Sequence, residues 1–253
     1  MKIAILGYGK MGKEVERTAL ERNHEILLKI DSRKELDAQD LSKADAAIDF
    51  STPSSAPYNI LRCFEFNVPV VTGTTGWSDK IEEIKRRCMK ENQALFYSPN
   101  FSIGVNIFFE LNRRLAQLMN KNIFYDVSIE ETHHTQKLDA PSGTAITLAN
   151  DIINNIDRKT EWVNQESECR DTECRDVACN VPTFRVSTFL NITSVRKKNV
   201  TGTHIVKYLS DIDRLEIKHE ANSRKGFAIG AVLAAEWIIG KRGVFTMQDM
   251  LKF

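Results

Sequence analysis

The sequence carries almost no net charge: its 253 residues include 35 basic and 34 acidic side chains, for a formal charge of +1. No field of one sign is available to draw in nucleic acid or an anionic membrane, so neither is an expected partner and function must be sought in local sites. Long apolar runs are missing too. The opening MKIAILGYGKMG meets its first glycine at position 7, which suits a buried strand rather than a signal peptide or an anchor, and the expected location is the cytoplasm. There are no internal repeats, low-complexity tracts or Pro/Gly linkers, so the two halves are expected to be closely joined. Cysteines are few and odd in number, at 63, 88, 169, 174 and 179. The last three form a C-x4-C-x4-C run with no fourth ligand in sequence reach, so reduced thiols are expected and no metal site. What remains is a chain that is 42% hydrophobic, enough to bury a core in one large domain or two small ones.

The first hundred residues alternate short apolar runs with helical periodicity. Residues 2–6, 25–30, 46–50, 68–72 and 94–97 read as strands, and 11–23, 53–67 and 78–91 as helices, the last capped by Ser78 or Asp79. Strands alternating with helices at these lengths predict a Rossmann-like, doubly wound parallel sheet covered on both faces. After Phe101 the character changes. Residues 104–119 form one long amphipathic helix, Val127, Ile129 and Glu131 alternate with Asp126, Ser128 and Glu130, and 144–156 is helical. Strand-like runs follow at 185–196, 203–209 and 214–219, which predicts an α+β unit with a mostly antiparallel sheet. Residues 226–239 and 246–251 are helical again, with Thr246 and Asp249 spaced as a cap.

Gly7, Gly9 and Gly12 give G-Y-G-K-M-G between the first strand and the first helix. A dinucleotide requires a tight turn at the first glycine, close backbone approach to a pyrophosphate at the second and close helix packing at the third. Asp31 ends the second strand, 24 residues after Gly7, where a carboxylate is placed to accept from a ribose 2′-hydroxyl. That favours NADH, because a carboxylate repels a 2′-phosphate; Arg33 can offset the preference by pairing with such a phosphate. The loops Asp49-Phe50-Ser51-Thr52-Pro53 and Thr72-Gly73-Thr74-Thr75-Gly76 follow the third and fourth strands and should border the same cleft.

The densest chemistry lies in E-T-H-H-T-Q-K-L-D-A-P-S-G-T, residues 131–144. His133, His134 and Lys137 fall within five positions, just before a helix opened by Pro141, Ser142, Gly143 and Thr144. Cationic side chains beside free helix N-terminal amides make a site for a carboxylate. Delivering a hydride to a C=C or C=N bond also requires a proton for the neighbouring atom, which histidine or lysine can supply near neutral pH.

E-x-H-H-x-x-K-x-D-A-P-S-G-T-A, as it stands from Glu131 to Ala145, resembles the signature of the 4-hydroxy-tetrahydrodipicolinate reductases, also called dihydrodipicolinate reductases, of the diaminopimelate route to lysine. The resemblance extends to the glycine turn, to Asp49-Phe50-Ser51 and Gly73-Thr74-Thr75-Gly76, to SPNFSIGVN at 98–106, to Ser194-Val195-Arg196, and to His219, Ser223, Arg224, Phe227, Gly230 and Ala231. It implies reduction of a cyclic dicarboxylate by NADH or NADPH, with His133 and Lys137 as the proton-donating pair. It also implies that His134, Lys137, Gly143 and Thr144 hold substrate carboxylates, and that Arg224 links the cofactor domain to the substrate. The cofactor would contact Gly7, Tyr8, Gly9, Lys10, Met11, Gly12, Asp31, Arg33, Phe50, Ser51, Gly73, Thr74, Thr75, Ser98, Asn100 and Phe101. Residues 1–103 and 222–253 would form the dinucleotide domain, and 104–221 a substrate-binding domain whose sheet assembles a homotetramer. Two departures stand out: a short connection from Asp31 to the strand at Ala46, and the cysteine-bearing stretch 166–179. The dinucleotide half alone would equally suit another two-domain dehydrogenase or a non-catalytic sensor. The intact His133 and Lys137 argue against both.

Overall fold

The computed structural model describes residues 1–167, 187–198 and 200–253, with backbone alone at 166 and 167. Cys169, Cys174 and Cys179, and the first two residues of the strand expected at 185–196, lie outside the described residues. The chain divides into two compact units, Met1–Asn106 with Arg224–Phe253, and Ile107–Ser223.

In the first unit β1 (Lys2–Leu6), α1 (Lys10–Glu21), β2 (Glu25–Ile30), α2 (Arg33–Asp37), β3 (Ala46–Asp49), α3 (Ala56–Glu65), β4 (Val70–Thr72), α4 (Ser78–Lys90) and β5 (Ala94–Tyr97) follow in order. The helix α5 (Ile103–Met119) leaves this unit, and the chain returns to it with α7 (Lys225–Ile238), β11 (Gly243–Phe245) and α8 (Met247–Leu251). The strands pair in parallel in the order β11-β5-β4-β3-β1-β2. Side chains alternate across each strand, so both faces must be covered. Ile3, Ile5, Ile48 and Phe96 pack on one face with Ala231, Ala234 and Ala235 of α7. Ala4, Leu6, Val70 and Leu95 pack on the other with Ile60 and Phe64 of α3 and Ile84 of α4. Just beyond α1, α3 and α4 the chain turns through Asn23, Asn67 and Asn92, with φ of 61°, 57° and 51°, the left-handed region that asparagine tolerates.

Three local features depart from the sequence reading. The N-cap of α4 is Trp77, with no side-chain cap, rather than Ser78 or Asp79. Trp77 is buried and its indole N–H donates to the Thr74 carbonyl at 2.6 Å, so packing of the indole sets where the helix starts. The short connection after Asp31 is filled by α2 and a 3-10 turn at Leu41–Lys43, whose Leu36 and Leu41 are fully buried. The parallel sheet gains a sixth strand, β11, only three residues long and paired with β5. The cap at Thr246 and Asp249 is present as a capping box.

The second unit contains β6 (Asp126–His133), α6 (Gly143–Ile153), β7 (Glu161–Ser167), β8 (Phe189–Arg196), β9 (Thr203–Leu209) and β10 (Arg214–Glu220). They form a sheet in the order β10-β9-β6-β8-β7, antiparallel over β10, β9 and β6 and parallel over the two remaining pairings. Val127, Ile129, Leu190, Ile192, Val206 and Tyr208 meet Phe108 and Ala116 of α5 and Leu148 and Ile152 of α6. No helix among the described residues is long and apolar enough to cross a membrane.

Gly230 of α7 lies so close to the chain at Phe101 that a Cβ would stand 1.8 Å from the Phe101 carbonyl oxygen. Backbone cannot swing aside as a flexible side chain can, so Gly230→Ala should cost about 2–3 kcal/mol and lower Tm by roughly 5–10 °C in a thermal melt. An unchanged Tm would contradict this close packing.

Candidate active site

In the first unit the strand ends carry the residues expected to meet a dinucleotide. Gly7 has φ +89°, donates its N–H to the Ile30 carbonyl at 2.7 Å, and has no room for a side chain, since a Cβ would lie 2.4 Å from the Phe50 carbonyl oxygen. A Cβ on Gly12 would lie 2.2 Å from the Gly7 carbonyl oxygen, so this glycine brings α1 against the turn. Gly9 differs: a Cβ there would meet nothing within 4 Å, and as N-cap of α1 it has no side chain to occupy the helix's first amides. This is a cradle with open space at the helix N-terminus, and it fits a pyrophosphate. Lys10 and Met11 form the first turn of α1, and Met11 packs on the core. The Tyr8 N–H donates to Asp31 Oδ1 at 3.0 Å and its hydroxyl pairs with Glu16. A cavity of about 200 Å³ here is lined by Gly7, Gly9, Asp31, Arg33, Ser51 and Thr52 among others. The Arg33 guanidinium lies 3.8 Å from the centre of the Tyr58 ring.

The two loops expected to border the same cleft hang on Asp49, to which sequence reasoning gave a place in a loop motif but no role. Its carboxylate is fully buried at the end of β3 and accepts from the hydroxyls of Ser51, Thr72 and Thr74 and the amide of Asn59, at 2.7–2.8 Å. Ser51 also donates its N–H to Thr74 Oγ1 at 2.9 Å, so the two loops are tied directly to each other. A Cβ on Gly73 would fall 2.1 Å from the Phe50 ring. Phe50 meets Phe101 edge-on at 5.9 Å between centroids, and the Ser98 hydroxyl donates to the Asn100 carbonyl at 2.7 Å. Thr75 is exposed at the tip. Arg224, exposed, is the N-cap of α7 and belongs to this unit.

In the second unit His133 and Ser142 of the 131–144 loop come together at Glu131. The buried face of β6 carries Val127, Ile129, Glu131 and His133, so a carboxylate occupies an interior register position. Pairing places His204 of β9 and Ser194 of β8 directly opposite Glu131, and Arg196 opposite His133. The Ser142 N–H donates to both Glu131 oxygens at 3.1 Å, and the Ser194 hydroxyl to Oε1 at 2.9 Å. His133 Nδ1 stands 3.4 Å and His204 Nε2 3.6 Å from Oε2, and an Arg196 nitrogen 3.6 Å from Oε1. Arg196 also donates to the Lys137 and Asp139 carbonyls, clamping the loop. Lys137 Nζ contacts both Asp139 oxygens at 2.8 Å, so a substrate carboxylate would have to compete with an exposed aspartate. His134, half-buried, accepts the Lys137 N–H on its carbonyl. Ser142 caps α6, accepting from the Ala145 N–H, while a Cβ on Gly143 would meet nothing within 4 Å. The N–H groups of Gly143 and Thr144 have no partner within the helix by its geometry. His204 carried no signal in the sequence, because only strand pairing brings it here.

Burial pushes the Glu131 carboxyl up, but the approach of His204 and hydrogen bonds from Ser142 and Ser194 outweigh it, and with the His133 charge they bring its pKa down to about 2. For His133, burial lowers the pKa, the Glu131 charge opposes that, and His204, Lys137 and Arg196 add to the lowering, leaving it at about 4. At neutral pH the carboxylate is ionised and the imidazole neutral. Glu131, His133 and His204 also offer three donor atoms within 4.8 Å of one another, a geometry open to a metal ion. A divalent cation there would face the Arg196 guanidinium, and the Glu131 oxygens and His204 Nε2 are already hydrogen-bonded, so the donor set fits protons better than a metal.

These shifts fix how stability depends on pH. The Glu131 contribution is present above its unfolded pKa near 4.5 and is lost as pH falls toward 2. Between about 6.5 and 4 the unfolded chain takes up a proton at His133 that the native chain refuses, so stability also falls with pH through that window. From pH 7 to pH 4 the parent chain should therefore lose on the order of 3 kcal/mol more folding free energy than His133→Gln, in urea unfolding at each pH. Equal losses would contradict a buried neutral imidazole.

Comparison with known proteins identifies the family. Residues 1–101 match the family model described as dihydrodipicolinate reductase, N-terminus, and residues 104–251 the one described as dihydrodipicolinate reductase, C-terminus. A 4-hydroxy-tetrahydrodipicolinate reductase of Christiangramia forsetii is 46% identical, over 99% of this chain and 98% of its own length. One from Neisseria gonorrhoeae is 33% identical over 83% of this chain and 74% of its own. Among solved structures, the dipicolinate-bound dihydrodipicolinate reductase from Paenisporosarcina sp. TG-14 superposes with a TM-score of 0.73 at 22% identity, over 99% of each chain. An amine dehydrogenase from Mycobacterium smegmatis shares the fold at a TM-score of 0.57 and 10% identity, over 96% of this chain and 94% of its own. By both of its units the chain belongs to the dihydrodipicolinate reductase family, the NAD(P)H-dependent oxidoreductases that reduce 4-hydroxy-tetrahydrodipicolinate to tetrahydrodipicolinate.

Proposed function

We propose that the reduction is divided between the two units: the dinucleotide sits on the Gly7–Gly12 turn and the loops tied to Asp49, and the dicarboxylate is held by the 133–144 loop. The observation that carries this reading is the gathering of His133 and the open start of α6 around one buried carboxylate, with the Lys137 charge acting on the His133 ring. When bound, the reduced nicotinamide supplies a hydride, and the 4-hydroxyl of the substrate leaves as water. His133 and Lys137 hold the proton that the neighbouring substrate atom takes up, and His134, Lys137 and the amides of Gly143 and Thr144 bind carboxylate oxygens. Arg224, at the start of α7, is assigned to the substrate side as a guanidinium for a carboxylate.

Cofactor choice turns on Asp31 and Arg33. Asp31 spends one oxygen on the Tyr8 N–H, leaving the other for a ribose diol, so NADH is favoured. Arg33, stacked on Tyr58, supplies the charge that lets NADPH serve as well. We assign the chain to the cytoplasm, where Cys63 and Cys88 stand as unpaired buried thiols. A homotetramer is supported by the exposed Phe124, Leu209, Ile212 and Leu215 of the second unit.

His133→Ala or Lys137→Ala should lower turnover by roughly two orders of magnitude or more while the dinucleotide Kd changes little. Steady-state oxidation of reduced nicotinamide, with substrate generated in place from pyruvate and aspartate semialdehyde, reads the first, and nucleotide fluorescence titration the second. Full turnover in both variants would remove the assigned roles. Arg33→Ala should lower kcat/KM for NADPH about tenfold more than for NADH, the size of one charge-assisted contact. Equal losses would take Arg33 out of cofactor choice.

A further inference from the structure

Glu131 lies on no surface a substrate could reach, and its side chain is fully buried. Yet both chemical parts of the loop are attached to it. One attachment is the start of α6: the Ser142 N–H reaches both carboxylate oxygens, and the Ser142 hydroxyl caps the Ala145 N–H and meets His204 Nε2 at 3.0 Å. The other is His133, whose Nδ1 faces Oε2 at 3.4 Å and makes no completed hydrogen bond. That is slightly long, as such contacts often are before substrate is bound. The opposite nitrogen, Nε2, lies beside Gly202, where a Cβ would be only 3.1 Å away, so a side chain at that position would crowd this edge of the ring.

We propose that Glu131 is the positioning residue of this site: its carboxylate accepts the Nδ1 proton of His133, which leaves Nε2, directed toward Gly202, as the atom that takes up a proton from solvent and passes it to the substrate. The same carboxylate holds the start of α6, so proton donor and carboxylate-binding amides stay in one fixed frame. The inference rests on the roles given above to His133 and α6. Cross-strand register is what makes the frame rigid, since His204, Glu131 and Ser194 are consecutive partners across β9, β6 and β8. The charged and titratable groups facing the His133 ring are Glu131 on its own strand, His204 on β9, Arg196 on β8 and Lys137 on the loop. Only Glu131 among them is negative, so it alone favours a proton arriving on the ring.

The test uses the full chain labelled with 15N at histidine. The His133 ring should show Nδ1 protonated and Nε2 unprotonated in the parent protein, and Glu131→Gln should shift that balance. In Glu131→Gln, kcat should fall tenfold or more with unchanged NADH affinity, and the limb on which kcat/KM falls with rising pH should move to lower pH. Glu131→Asp, which keeps the charge, should restore the limb in part. A merely structural glutamate would lower the folded fraction without moving the limb. If His133→Ala is inactive while Glu131→Gln keeps both the parent kcat and the parent limb, the inference is overturned; if His133→Ala itself is fully active, the underlying role of His133 is what fails. Should Glu131→Gln not fold, the parent spectrum still decides, because a proton found on Nε2 at neutral pH overturns the proposal.

Discussion

A carboxylate removed from water has to be met by donors on nearly every side, and the second unit is arranged to do this for Glu131. Leaving such a charge unpaired would cost several kcal/mol, more than a typical single contact returns. The donors come from four segments: Ser142 at the start of α6, Ser194 and Arg196 on β8, His204 on β9 and His133 two residues further along β6. Satisfying one charge thus fixes the register of three strands and the entry angle of a helix. The loop between β6 and α6 carries the assigned chemistry without a hydrophobic core of its own, and Arg196 holds its carbonyls from the side.

The first unit solves a similar problem with Asp49. There the acid closes a strand that is otherwise apolar, and its partners are hydroxyls and an amide rather than cations. The result is a pair of loops pinned to the sheet at their bases, with Thr75 free to face outward at a tip. Contact around the glycine turn is equally uneven: Gly7 and Gly12 are pressed against backbone, while Gly9 opens onto space. In each unit a buried acid supports the scaffold and leaves a helix N-terminus accessible for an anion.

Much of this was legible in the sequence, and the limits have physical causes. Strands such as β2 and β9 announce themselves by β-branched or alternating composition, and the glycine turn by its spacing between strand and helix. The 131–144 loop stood out because histidines and a lysine crowd a helix start. By contrast, α2, β7 and β11 were not foreseen. A five-residue helix shows no periodicity, a polar strand such as β7 lacks an apolar face, and three residues of β11 gain strand geometry only from pairing with β5. The parallel pairing of β8 with β6 and β7 belongs to topology, which local pattern does not encode. For the same reason Glu131 read as one more member of an alternating strand, and His204 did not stand out at all. Their importance is created by register.

The central claim is that this chain passes a hydride from nicotinamide to a cyclic dicarboxylate. Its most direct measurement is isotopic: reduced dinucleotide carrying deuterium at the transferable nicotinamide position, incubated with enzyme and freshly generated 4-hydroxy-tetrahydrodipicolinate, with the product analysed by mass spectrometry. The account predicts tetrahydrodipicolinate that has gained a single deuterium from the nucleotide. Product without the label, or labelled nucleotide left unconsumed by a folded enzyme that binds it, would contradict it.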